Sequence, residues 1–228
     1  MSIDRTTLAG ALLAAAALLG TGAAPAAAQN TATISPGDEL VTTAADGAQM
    51  CTLGYTFTNR DTGTAYGITA GHCNGHRSSS VTDRTTGAVG HFVLTVGNAD
   101  EALDDDYGLI DFGTNRSLPI MYGMPVSGLS APDPTGPVCH DGIKTGVACG
   151  QLHSRLVGTQ FTTRGMPRSI PGDSGGPVWQ LGPGNSATVI GIWLGEHIEP
   201  NGPRYGRFTA LTDVLADISD YAGLPAST

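Results

Sequence analysis

The sequence has 228 residues, enough for one domain or a compact pair of small barrels with a full core. Its net charge of −9 excludes a nucleic-acid binder working through phosphate contacts, which need Lys and Arg. Only 14% of residues are charged, against 33 glycines and 14 prolines, a turn-rich composition that fits many short strands rather than a helical bundle.

In chain order, Arg5 precedes the apolar run Leu8–Leu19 and the small-residue stretch Ala23–Ala28. This is the layout of a secretory signal peptide over residues 1–28, with a cut after Ala28 in an Ala-x-Ala context. The run is shorter than the ~20 apolar residues of a bilayer span, and no other segment is long enough, so the mature protein is expected to carry no membrane span. Export places it outside the cell or at the cell envelope, where disulfides form. Cys51, Cys73, Cys139 and Cys149 permit three pairings. The sequential pairing, Cys51–Cys73 with Cys139–Cys149, would close two short loops, each worth roughly 3 kcal/mol on the loop-entropy account.

Residues 29–33 read as a short linker or pro-segment, and the domain proper runs over 34–228. Strand-like segments follow at Cys51–Thr58, Ala65–Thr69, Ala88–Val96, Gly108–Phe112, Gln151–Val157, Pro177–Gln180 and Ala187–Leu194. They are rich in β-branched or aromatic residues and bounded by Gly, Asn, Asp or Pro. Repeated short strands of this kind close into antiparallel barrels. The proline-rich stretch Leu118–Pro137 reads as a connection between a first barrel, about 34–117, and a second, about 125–208. A helix is expected over Thr209–Tyr221, with Leu211, Val214, Leu215 and Ile218 on one core-facing stripe.

Three segments carry chemistry. In Gly172-Asp173-Ser174-Gly175-Gly176-Pro177, glycines on both sides of a serine allow a tight turn and close approach of a carbonyl. The amides of Gly172 and Ser174 would then converge on an oxyanion. A serine hydroxyl needs a neighbouring base, and Ile68-Thr69-Ala70-Gly71-His72-Cys73 sets a histidine directly after an apolar strand, beside a cysteine that can be stapled. In Asp104-Asp105-Asp106-Tyr107-Gly108-Leu109-Ile110, Asp106 abuts an apolar strand and suits a buried partner for that histidine, whereas Asp104 and Asp105 read as a solvated turn.

These segments resemble the chymotrypsin-like serine proteases, in particular the bacterial streptogrisin and α-lytic branch. The matches are Thr69–Cys73, Asp106–Ile110 and Gly172–Pro177, and Ile34-Ser35-Pro36-Gly37-Asp38 resembles the mature streptogrisin N-terminus. Val138–Gly150 resembles that branch's second-barrel disulfide loop. The resemblance implies an all-β fold of two six-stranded antiparallel barrels with a C-terminal helix. It implies a His72–Asp106–Ser174 triad cutting peptide bonds through an acyl-enzyme, with a protein or peptide substrate, no cofactor, no metal and a monomeric state. The Gly-x-Ser-x-Gly pattern also occurs in α/β-hydrolases, but those need an acid and then a histidine after the serine; after Ser174 the only histidine is His197, and the only acid between them is its immediate neighbour Glu196.

Departures from the family pattern mark the substrate cleft. Leu194 stands where a serine commonly bonds the catalytic aspartate, and Glu196, after Gly195, stands where glycine is usual. Arg168 falls where the family reads the residue before the scissile bond; it argues against basic substrates and Glu196 argues for them. Asp173, which in the family pairs with a cation, is expected to pair with His140 or with the amine of Ile34. Leu194 and Glu196 also admit a second reading, a catalytically inactive protease-fold binding protein. His76, His91, His153 and His197 show no metal-ligand spacing.

Overall fold

The computed structural model describes residues 31–44, 47–75, 80–97, 105–200 and 202–219. Residues 1–28, read above as a signal peptide, together with Asp104, His76 and the end of the expected helix, lie outside them. The chain forms β1 (Thr33–Ile34), β2 (Glu39–Ala44), β3 (Gly47–Thr52), β4 (Tyr55–Thr58), β5 (Ala65–Thr69), β6 (Val81–Asp83), β7 (Val89–Val96), β8 (Tyr107–Asp111) and β9 (Arg116–Ser117). The connection holds β10 (Ile120–Met121) and β11 (Met124–Leu129). Then come β12 (Pro137–Gly142), β13 (Gly146–Val157), β14 (Gln160–Arg164), β15 (Pro177–Gly182), β16 (Ser186–Ile198), β17 (Arg204–Ala210) and the helix α1 (Leu211–Asp217).

The later strands form the closed barrel. Their order is β16-β15-β12-β13-β14-β17, and β17 returns to pair with β16, which removes both edges. The earlier strands form a seven-stranded sheet, β3-β2-β6-β7-β8-β5-β4. Its end strands β3 and β4 are consecutive in the chain, so the sheet curls into a half-barrel beside the closed one, and with the C-terminal helix the architecture is the chymotrypsin-like one expected. The single strand expected over Cys51–Thr58 is interrupted at Leu53 and Gly54, whose amides bond the Asp38 and Ile68 carbonyls instead. A Cβ at Gly54 would collide with the Gly175 carbonyl and the Ile192 side chain, so only glycine lets this corner sit against the second barrel.

Other boundaries moved for similar reasons. β16 continues past Leu194 to Ile198 because its partner β17 continues opposite, Ile198 facing Arg204. β13 begins at Gly146, facing Gly142 across a hairpin. Within the expected connection, β11 adds to β16 in parallel. Thr209 and Ala210 belong to β17, paired with Ile192 and Gly191, so the helix starts at Leu211. Its apolar stripe is as expected: Leu211, Val214, Leu215 and Ile218 are buried with Ile68, Tyr107, Leu109 and Ile192. Each such side chain contributes roughly 1.5–3 kcal/mol of burial. Cys51–Cys73 and Cys139–Cys149 are the disulfides, and the second joins facing residues of β12 and β13.

Candidate active site

His72 and the turn carrying Ser174 line one cleft of about 620 Å³, walled by residues of the half-barrel and of the closed barrel. His72 lies in a 3-10 turn, Gly71–Asn74, entered directly from β5. Gly71 packs so closely on the Val96 and Tyr107 carbonyls that a side chain would displace them. The turn is pinned by the Cys51–Cys73 disulfide and by Gln49, whose amide donates to the His72 carbonyl at 3.0 Å.

Asp106 sits just before β8 and is buried. The His72 backbone amide donates to its Oδ1 at 2.8 Å, and ring Nδ1 donates to its Oδ2 at 2.6 Å. Burial alone would raise the Asp106 carboxyl; the His72 ring and amide, with the charge of Arg207, more than offset this and hold it below the usual carboxylate range. A carboxylate accepting at Nδ1 fixes the tautomer and leaves Nε2 as the proton acceptor. Leu194, where a hydroxyl partner for Asp106 is usual, instead packs into the half-barrel core with Ile34, Leu40 and Leu53. The electrostatic support comes from Arg207 on β17, a residue no local motif marks. Asp105 is not merely solvated, since the Thr159 hydroxyl donates to it.

Ser174 lines the same cleft as His72. Its turn depends on Gly172 and Gly175, at φ +113° and +87°, a region that side chains disfavour. The half-barrel holds this turn directly. Thr52 N donates to the Ser174 carbonyl at 2.8 Å, Thr52 Oγ1 donates to the Gly172 carbonyl at 2.8 Å, and Thr69 Oγ1 donates to the Thr52 carbonyl at 2.8 Å. Among the described residues, the amides of Gly172 and Ser174 donate to nothing in the turn, which leaves both available to a ligand.

Asp173 is completely buried, and its partners are neither of those expected. Oδ1 accepts the amides of Lys144 and Thr145, both at 3.0 Å, and Oδ2 accepts the Ile170 amide at 2.9 Å. Three backbone donors solvate a carboxylate without a cation. Ile34 runs in β1 beside Ser117, with its carbonyl bonded to the Leu118 amide. His140 lies flat on Trp193, with ring centroids 4.0 Å apart. Burial, opposed by the Asp173 charge, pushes the His140 imidazole down to about 4, so it is neutral and forms no ion pair.

The far wall of the cleft carries Gly195 and Glu196. Arg168 is exposed and, like Leu194, lies outside the residues lining the cleft. Glu196 Oε2 meets Arg204 at 2.6 Å, and its Oε1 accepts the Ser169 amide at 3.2 Å. Arg204 and Ser169 were not singled out in the sequence, because only the β16–β17 register and the chain reversal before Ser174 bring them to Glu196.

No family model matches the chain. The chain is 32% identical over 195 residues to the uncharacterized protein Rv1815 of Mycobacterium tuberculosis (strain ATCC 25618 / H37Rv), covering 80% of this chain and 83% of that protein. Among solved structures it is similar to Thermobifida fusca Protease A, with TM-score 0.61, 19% identity and coverage of 82% of this chain and 96% of that one. Nocardiopsis Protease gives TM-score 0.58 and 22% identity, covering 81% of this chain and 96% of that one. The fold is that of the bacterial chymotrypsin-like serine proteases.

Proposed function

We propose that this chain, which belongs to the family of the mycobacterial protein Rv1815 and has the chymotrypsin-like fold, is a secreted serine endopeptidase. The observation that carries this reading is the double hydrogen bond from His72 to Asp106, made at the edge of the cleft that Ser174 lines. Ser174 attacks the peptide carbonyl while His72 takes its proton, and Asp106 orients the ring and stabilises the imidazolium. The Gly172 and Ser174 amides receive the oxyanion, a contribution of about 3 kcal/mol per donor. His72 then protonates the leaving amine, an acyl-enzyme remains on Ser174, and water releases it by the reverse proton path.

Secretion is supported by the apolar segment Leu8–Leu19 and the two disulfides. Among the described residues no helix is long and apolar enough to cross a membrane. The substrate is read as a protein or peptide, held in the cleft that His72 and Ser174 line.

The test is labelling with a fluorophosphonate probe, which reports an activated serine and needs little substrate matching, beside a Ser174→Ala control. Labelling of wild type alone is the expected result. Absence of labelling in a protein whose circular dichroism shows the β fold would overturn the enzyme reading and favour the binding-protein alternative, which Leu194 and Glu196 motivate.

A further inference from the structure

The cleft has two distinguishable ends. Gln49 of β3 lies beside His72, whose carbonyl it bonds, and Glu196 lies against Ser169; all four residues line the cleft. If His72 protonates the leaving amine, the leaving segment lies at the β3 end and the acyl segment at the Ser169–Glu196 end. The side chain of the residue before the scissile bond must therefore enter between Ser169 and Glu196.

That space is bridged by the protein's own groups. Glu196 Oε1 accepts the Ser169 amide at 3.2 Å, which ties one wall of the cleft to the other. Its second oxygen is held by Arg204 at 2.6 Å, and the Glu196 side chain is only 15% exposed. Below the bridge, the Trp193 indole donates to the Ser169 hydroxyl at 3.0 Å. Trp193 is fully buried, stacked on His140 and packed among Val138, Val178, Ile190 and Phe208. A Cβ at Gly206 would strike the indole, so the ring already fills the barrel interior on that side. Arg168 faces solvent, and Glu196 pairs with Arg204.

We infer that the bridge of Glu196 to Ser169, above the Trp193 indole, confines the residue before the scissile bond to a small uncharged one, glycine, alanine or serine. The inference rests on the endopeptidase reading. A large side chain would have to displace Glu196 from both of its partners. A basic one would have to compete with Arg204 for the Glu196 carboxylate, and an acidic one would meet that carboxylate's like charge.

The experiment compares inactivation by peptidyl diphenyl phosphonates that differ only at the residue bearing the phosphonate (Ala, Phe, Lys or Glu), with a simple fluorophosphonate as a side-chain-independent reference. The Ala compound is expected to react at least about tenfold faster than the others, the scale on which a closed pocket discriminates. In Glu196→Gly the deficit of the Phe compound should shrink by about tenfold, while Glu196→Gln, which keeps an acceptor for the Ser169 amide, should retain the Ala preference. Equal or faster reaction of the Phe, Lys or Glu compound with wild type overturns the inference while leaving the endopeptidase reading intact. No reaction with the fluorophosphonate overturns that reading, and this inference with it.

Discussion

His72 grips Asp106 twice, through its backbone amide to Oδ1 at 2.8 Å and through ring Nδ1 to Oδ2 at 2.6 Å. One residue thus occupies both oxygens of a buried carboxylate: one bond fixes the ring and the other fixes the main chain that carries it.

Asp106→Asn is therefore expected to keep the fold but present an amide where His72 needs an acceptor, favouring the wrong tautomer. A loss of about 10⁴ in kcat with little change in KM is the expected scale. Steady-state kinetics on a peptide substrate measure it, and a loss under tenfold would remove Asp106 from the proposed mechanism.

Asp173→Asn should be costly although no cation is lost. The three amides of Ile170, Lys144 and Thr145 all point at carboxylate oxygens, and an Asn NH₂ must face at least one of them. A stability loss of about 1–3 kcal/mol is expected from an unsatisfied buried donor, together with loss of fluorophosphonate labelling as the Ser174 turn relaxes. Urea unfolding and probe labelling check both. His140→Phe, by contrast, should still label, because His140 does not bond Asp173.

His140 should govern part of the acid stability. Its pKa falls from 6.5 to about 4 on folding, chiefly through burial, so between those values the unfolded chain binds the extra proton. Its contribution is present above pH 6.5 and is lost as the pH falls toward 4, by roughly 3 kcal/mol at most. Both ring nitrogens lack partners among the described residues. Phe at this site keeps the stack on Trp193 and removes the titration. The unfolding free energy of His140→Phe relative to wild type should therefore rise as the pH is lowered from 7 to 4.5; a difference independent of pH would contradict the assignment.

Asp38 should act in the opposite sense. Burial and the neighbouring Asp83 carboxylate raise its pKa from 3.8 to about 7, against the Ser35 amide and the Thr85 hydroxyl, which lower it. The folded state holds the extra proton, so this contribution is complete below pH 3.8 and is lost as the pH rises through 7. Asp38→Asn should become progressively more stable relative to wild type from pH 4 to 7.5, measured by denaturant unfolding at each pH. A constant difference would mean that Asp38 does not hold the extra proton in the folded state.

The sequence exposed the parts of this protein whose chemistry demands a local backbone shape. A serine in a tight turn needs the glycines at 172 and 175, and both adopt positive φ. The turn after β5 needs Gly71 because two carbonyls crowd it. The helical stripe from Leu211 to Ile218 follows from a single element burying one face, so its period was readable although its first residue was not.

What the sequence could not supply were relationships between residues far apart in the chain. The family resemblance implies a cation beside Asp173; the carboxylate instead uses the backbone amides of Lys144 and Thr145, donors that almost every residue type carries and no side-chain pattern reveals. Glu196 reads as a free anion until the β16–β17 register brings Arg204 to it. Leu194 reads as a defect beside Asp106 until the core of the half-barrel is seen to take it, with Arg207 supporting the aspartate. Sequence alone thus determined the local turns and apolar periods, because these are set by sterics within a few residues. Only the tertiary structure decided how each charge is compensated and how much room the cleft leaves, because both depend on strand registers that the whole packed core selects together.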